Sequence, residues 1–325
     1  MPTRFSRRLY VAGAVAVALV ATACSSGDDS NEPPRANESG GFSALPANFD
    51  LAVDSPQAFL IGIAGPEQRS VAYGTVDVAL AYLGPVGQPL DDPRPGPRAT
   101  ATFIPVAGTP PGTTIGDPQL LDGAADTIGV YGTEPLAFPD AGYWEATVRF
   151  TTDGRDRTLT AAFEVLDRHR VPAVGDQAPE TVNAVAGASG VPPIAIDSRA
   201  ADGVIPDPEL HRVTIADALA ARRPLTVVIT TPAFCESRLC GPVTDAVGAV
   251  AARHGDRMDF VHLEVYAEVD EQRINPAAAE WILREGADGN EPWVFVINND
   301  GIITHRFDNI ANEQQIEAAV TEVVG

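Results

Sequence analysis

Between residues 42 and 168, short apolar runs alternate with Gly/Pro turns. The runs "AFLIGIA", "VDVALAYL", "ATFIPV", "TIGVY", "YWEATVRFTT" and "TLTAAFEVL" predict β-strands. In "YWEATVRFTT" the period is two: Trp144, Ala146, Val148 and Phe150 share one face, and Glu145, Thr147 and Arg149 the other. "TDGR" then predicts a hairpin turn into the last strand. No stretch here carries helical periodicity, and strands at this spacing predict a β-sandwich.

After residue 169 the pattern changes. Thr214 and Asp217 frame a short helix, "IADALAAR", as in a capping box. "LTVVIT" is a continuous apolar run, as in a strand buried on both faces. A helix is predicted from about Pro242 to His254, with Val243, Val247 and Val250 on one face and Pro242 at its first position. "MDFVHLEV" predicts a strand. Asn275 caps a helix that begins at Pro276 and runs through Trp281. "PWVFVIN" and "IITHRF" predict strands joined by "NDG", and Asn312 with Gln315 opens a last helix with Ile316, Val320 and Val323 inward. A right-handed crossover makes the first two strands parallel, and the hairpin adds an antiparallel edge.

The N-terminus has a targeting pattern. Arg4, Arg7 and Arg8 precede an apolar run from Leu9 to Val20. Leu9 to Ala23 spans only about 22 Å as a helix, short of a hydrocarbon core of about 30 Å, which points to a secretory signal. "ATAC", ending at Cys24, resembles the lipobox of bacterial lipoproteins, although Ala21 stands where that family most often has leucine. The resemblance implies that residues 1–23 are a signal peptide, that Cys24 is lipidated, and that the body is extracytoplasmic and anchored to the cell membrane. Residues 24–41 are polar and acidic and predict a disordered tether. The remaining roughly 280 residues suit about two domains: a β-sandwich over 42–168 and a second domain over 169–325.

The chain of 325 residues has a formal net charge of −22 and no lysine, which argues against nucleic acid as a partner. Export places the body where disulfides persist. With Cys24 assigned to lipid, Cys235 and Cys240 have only each other within the chain. In a regular helix they would sit about 7.5 Å apart along the axis, so a bond between them requires a loop or an unwound turn. Arg238 and a helix N-terminus would favour a thiolate, and Glu236 would oppose it. Residues 42–168 contain no His, Met or Cys, which excludes a soft-metal site there. His262, mid-strand, reads as a structural histidine, and Trp281 and Trp293 as core. No metal or cofactor is expected.

"AGYWEATVRFTTDG" is similar to the closing strands of immunoglobulin-like modules in bacterial envelope proteins. The second region resembles the thioredoxin-like superfamily over roughly residues 172–325. "LTVVITTPAFC" matches the central strand with Cys235 at the position of the N-terminal cysteine. "EPWVFVINNDGIITHRF" matches the closing hairpin, with Pro292 at the position of the family's cis-proline. "VGDQAP" resembles the opening segment of the peroxiredoxin and membrane-anchored thioredoxin branches. The spacing departs from the thioredoxin pattern: it is C-x4-C, as in one type of peroxiredoxin, yet Pro232 stands where peroxiredoxins have threonine. Ile229 replaces thioredoxin's buried acid.

The resemblance implies an α/β thioredoxin-like fold and thiol–disulfide exchange with protein thiols or disulfides of the cell envelope. Cys235 would be the exposed nucleophile and Cys240 the resolving thiol, and Pro292 with Glu291 would form the backbone wall that aligns a partner. Exchange would pass through a mixed disulfide. The alternative is a binding or scaffold lipoprotein whose Cys235–Cys240 bond is a staple.

Overall fold

A computed structural model describes residues 40–325, apart from 107–108, 110–111, 113–115, 122–128, 201, 236–237 and 285. The expected signal peptide, Cys24, the tether up to residue 39 and Glu236 lie outside the described residues.

The first half is all β. Its strands are β1 (Ser43–Pro46), β2 (Gln57–Ala64), β3 (Val71–Ala72), β4 (Thr75–Gly84), β5 (Arg94–Pro105), β6 (Gln119–Leu120), β7 (Gly129–Leu136), β8 (Gly142–Thr152) and β9 (Arg155–Val165). In β8 the inward residues are Trp144, Ala146, Val148 and Phe150, as the period of two predicts. The β8–β9 turn is Asp153-Gly154. Both residues have positive φ, which suits the tight right-handed hairpin, and Thr152 pairs with Arg155.

The sandwich expectation is modified. Among the described residues, seven strands form one continuous antiparallel sheet in the order β1-β2-β7-β5-β4-β8-β9, and β3 and β6 form a separate ribbon. The long β5 is the reason. Its residues 94–102 pair with β4, and Thr102–Pro105 pair with β7, so no break separates two layers. The edge strands β1 and β9 approach each other, and the curled sheet encloses Phe59, Tyr131, Phe138, Trp144 and Leu159.

The second half is α/β: short 3-10 turns at Pro193–Ala195 and Pro208–His211 precede α1 (Ile215–Ala220), β10 (Leu225–Thr230), α2 (Cys240–His254), β11 (Asp259–Glu264), β12 (Tyr266–Glu268), β13 (Arg273–Ile274), α3 (Pro276–Ile282), β14 (Trp293–Ile297), β15 (Ile303–Asp308) and α4 (Glu313–Val324). The main sheet has the order β11-β10-β14-β15; β10 and β11 are parallel, and the other pairs antiparallel. The predicted caps form. Thr214 accepts from the Asp217 N–H, Asn275 from Ala277, and Asn312 makes a full capping box with Gln315. Alternate residues of β14 serve two cores. Trp293, Phe295 and Ile297 face one, with Trp281 of α3; Val294 and Val296 face the other, with Val243 and Val247 of α2 and Ile316 of α4. Both faces of the sheet are therefore covered, which explains the unbroken apolar run of β10.

The helix after β10 starts earlier than the sequence predicts, at Cys240 rather than Pro242. Pro242 is its third residue. The first-turn N–H groups have no acceptor within the helix, so proline costs no hydrogen bond there.

The two halves belong to one compact unit. The segment between β1 and β2 runs against the end of β15. Asp308 accepts from the Phe49 N–H at 2.8 Å and from Asn48 Nδ2 at 3.2 Å, and Asn309 Nδ2 donates to the Ala47 carbonyl at 2.7 Å. Phe49 packs its ring 5.8 Å from that of Trp293. A second join is apolar: Leu60, Val106 and Val130 of the first half cluster with Leu239 and Ile310 of the second.

Candidate functional site

The buried strand β10 ends at Thr230, and α2 begins at Cys240. The Phe234 N–H bonds back to the Thr231 carbonyl, and Arg238 adopts a left-handed conformation with φ 61°. This looped path brings Cys235 and Cys240 into a disulfide with Cα atoms 6.0 Å apart, the geometry that a regular helix over both would forbid. Cys240, the first residue of α2, is wholly buried, and Cys235 is half-buried. The exposed Phe234 ring precedes Cys235, and Arg238 is exposed. Leu239, beside Cys240, is buried under the first half's Leu60 and Val130.

Opposite the loop, β14 is preceded by a cis Glu291–Pro292 peptide bond. Pro292 is buried, and its carbonyl accepts from the Asn309 N–H. The Glu291 side chain reaches the sulfurs. One Glu291 carboxylate oxygen and the two Sγ atoms all lie within 4.8 Å of one another. The Glu291 carboxylate also accepts from the Thr231 N–H. Burial raises its pKa, the nearby Glu264 carboxylate raises it further, and the Thr231 hydrogen bonds only partly offset this; the result is about 7.

Glu264, at the end of β11, is buried and hydrogen-bonded three ways. It accepts from the Thr231 hydroxyl at 2.6 Å, the Ser198 N–H at 2.7 Å and the Val265 N–H at 3.1 Å. Thr231 thus joins both acids, its hydroxyl to Glu264 and its N–H to Glu291. The Ser198 hydroxyl then accepts from the Ala233 N–H and ties down the outer loop.

A second polar chain runs beneath. The Thr244 hydroxyl donates to the Cys240 carbonyl at 2.8 Å and lies 2.8 Å from the Thr230 hydroxyl, which lies 2.9 Å from His262 Nε2. With Thr244 donating to the carbonyl, Thr230 donates to Thr244, and His262 Nε2–H supplies the proton at the far end. On its other side His262 Nδ1 lies 3.5 Å from Asp197 Oδ2, within ion-pair reach but off hydrogen-bond alignment. Asp197 also meets His211 Nε2 at 3.3 Å and is forked by Arg199, with Nη2 at 2.7 Å and Nε at 3.0 Å. Burial alone would raise the Asp197 pKa; His211, His262 and Arg199 outweigh it and hold it low. Burial also works against charge on His262, but Asp197, Glu264 and the Thr230 carbonyl raise its pKa overall. His211 goes down: burial dominates, and His262 and Arg199 add to it. Asp197, His211 and His262 are grouped closely enough for a cation, but Arg199 already sits on the carboxylate that would have to bind one. This is a hydrogen-bonded support for the end of β10.

A cleft of about 590 Å³ lies elsewhere, at the seam of the two halves. Gln57, Thr133, His169, His305 and Arg306 are among the residues that line it, and neither cysteine does.

The sequence pointed to Cys235, Cys240 and the Glu291–Pro292 pair, and the structure brings the Cys235, Cys240 and Glu291 side chains within 4.8 Å of one another. It did not point to Glu264, Thr231 or Asp197. A visible signal existed for Glu264, a carboxylate flanked by Leu263 and Val265 near the end of the run "MDFVHLEV". No family model matches the chain, and no curated protein or solved structure matches it significantly.

Proposed function

We propose that the protein is a thiol–disulfide oxidoreductase of thioredoxin-like type, tethered outside the cytoplasm through Cys24. The observation that carries this reading is the disulfide itself. A half-buried Cys235 is bonded to a buried Cys240 at the N-terminus of α2, at the tip of a central strand and beside a cis Glu291–Pro292 bond. The sheet order β11-β10-β14-β15, with α2 directly after β10, supports the thioredoxin-like assignment of residues 169–325. Cys235 is the sulfur a partner thiolate reaches, and Cys240 the one that resolves the mixed disulfide. Residues 42–168, read as an immunoglobulin-like module, act as a spacer or a docking surface for a partner of the cell envelope.

One observation favours a second reading, a scaffold protein with a structural bond. Leu239 is pinned between the halves, which restrains the loop that exchange must open. Redox titration of the full chain against a dithiol buffer separates the two. A catalyst gives a reversible two-electron couple above about −300 mV, and a staple lies below it and does not exchange.

A further inference from the structure

We propose that Glu291 is the proton-transfer group of the Cys235–Cys240 pair. This rests on the exchange reading above and adds to it the source and destination of the proton.

A disulfide opened by a partner thiolate leaves a thiolate on the second sulfur, and a buried thiolate needs a proton. Cys240 is wholly buried, so bulk water cannot supply one directly. Among the described residues, Glu291 brings a carboxylate oxygen within 4.8 Å of both Sγ atoms, a distance that a single water spans. Its surroundings are suited to transfer. From β11 it faces the Glu264 carboxylate, which disfavours a second negative charge, and the more distant His262, which favours it. From β10 and its loop it faces the Thr231 N–H, and from α2 the buried Cys240. These opposing influences hold the carboxyl near neutrality, so both of its protonation states are accessible at physiological pH.

The cycle balances. A thiolate of a partner dithiol attacks Cys235 Sγ, the Cys235–Cys240 bond breaks, and Cys240 leaves as a thiolate. Protonated Glu291 gives that thiolate its proton. The partner's second thiolate then attacks the mixed disulfide and releases Cys235. The partner has lost two electrons and become a disulfide, and the protein holds two reduced sulfurs. In the reverse direction the Glu291 carboxylate takes the Cys240 proton, and the thiolate formed closes the bond and expels the partner.

The test uses the full chain with dithiothreitol as the opening dithiol and oxidised glutathione for closure, and compares wild type with Glu291→Gln and Glu291→Asp. The expected result is a wild-type pH–rate profile with an inflection near 7 beyond that of the reagent thiol. Glu291→Gln loses this inflection and slows closure by about 100-fold, the lower end of the usual acid–base contribution. Glu291→Asp retains the inflection at a reduced rate. If Glu291→Gln is folded and keeps both inflection and rate, Glu291 has no such role and the exchange reading stands. If dithiothreitol does not open the wild-type bond in the folded chain, both fall.

Discussion

Arg306 and Asp50, 256 positions apart, form a buried ion pair across the seam of the two halves. Nη1 lies 3.2 Å from Oδ2, with 4% and 3% of the side chains exposed. The pair is well satisfied. Arg306 Nη2 also donates to the Asp50 carbonyl at 2.6 Å and to Gln57 Oε1 at 2.8 Å, and its guanidinium lies over the Trp293 ring. Asp50 accepts in addition from the Val171 N–H at 3.1 Å.

Removal of one member leaves the other charge uncompensated in a dry site. Arg306→Ala is expected to lower stability by about 3–5 kcal/mol, measured by denaturant unfolding. Burial alone would raise the Asp50 pKa; His169, Arg306 and the Val171 N–H outweigh it, and the folded value lies below the ordinary one. The stabilisation is therefore complete above the unfolded pKa and is lost as pH falls through the folded one. In Arg306→Ala the loss of stability between neutral and acid pH should be smaller than in wild type.

Asp197 holds three cationic or potentially cationic partners in a buried site. Asp197→Asn is expected to destabilise by about 3 kcal/mol, because the buried His262 loses the Asp197 charge while Arg199 keeps Asp207 at 2.9 Å and Asp245 at 3.2 Å. The His262 pKa, raised in the native chain, should fall in this variant, and NMR titration of the imidazole reads it directly. The sign for His262 is opposite to that for Asp50. Its contribution is present below the unfolded histidine pKa and is lost as pH rises through the folded one. A wild-type His262 that titrates below the ordinary value would contradict the described network.

The two cysteines should differ in their single variants. Cys235→Ser abolishes exchange. Cys240→Ser leaves Cys235 able to attack but unable to resolve, and mixed disulfides accumulate on non-reducing gels. Because the bond closes a loop of only six residues, its reduction should cost about 2 kcal/mol by the chain-entropy relation, read from unfolding with and without reductant. Equal trapping by both serine variants would remove the assigned polarity.

Leu239 ties the cysteine loop to the all-β half. Leu239→Ala should cost about 2–5 kcal/mol through the cavity left among Leu60, Val130 and Ile310. It should also raise the rate at which dithiothreitol opens the disulfide, since the restraint on the loop is gone. An unchanged opening rate in a destabilised variant would show that Leu239 packs without restraining the pair.

Local rules made much of this legible. Caps at Thr214, Asn275 and Asn312 marked three helices, the Asp153-Gly154 turn marked the hairpin, and the period of two in β8 set its inner face. These features are encoded within a few residues. Less legible were relationships that join distant positions. The sheet closes as one because β5 pairs at its two ends with different strands, and nothing in "RPGPRATATFIP" announces that. The start of α2 at Cys240, two residues before the predicted Pro242, was not legible because proline is tolerated throughout a first turn, not only at its first residue. At the site, the cysteines and the Glu291–Pro292 pair were legible in the sequence, whereas Glu264 comes in only through its bond to the Thr231 hydroxyl, which joins the end of β11 to the residue after β10.

Asn48 and Phe49 bond to Asp308, which lies 260 and 259 positions further on. During synthesis from the N-terminus, β1 can pair with β2 and Asn48 can reach the Ala58 carbonyl early, but the Asp308 carboxylate is supplied only when nearly the whole chain has been made. The curled sheet can assemble while the rest is still emerging, but its contact with the other half cannot. The last hairpin to appear completes the join between the two halves.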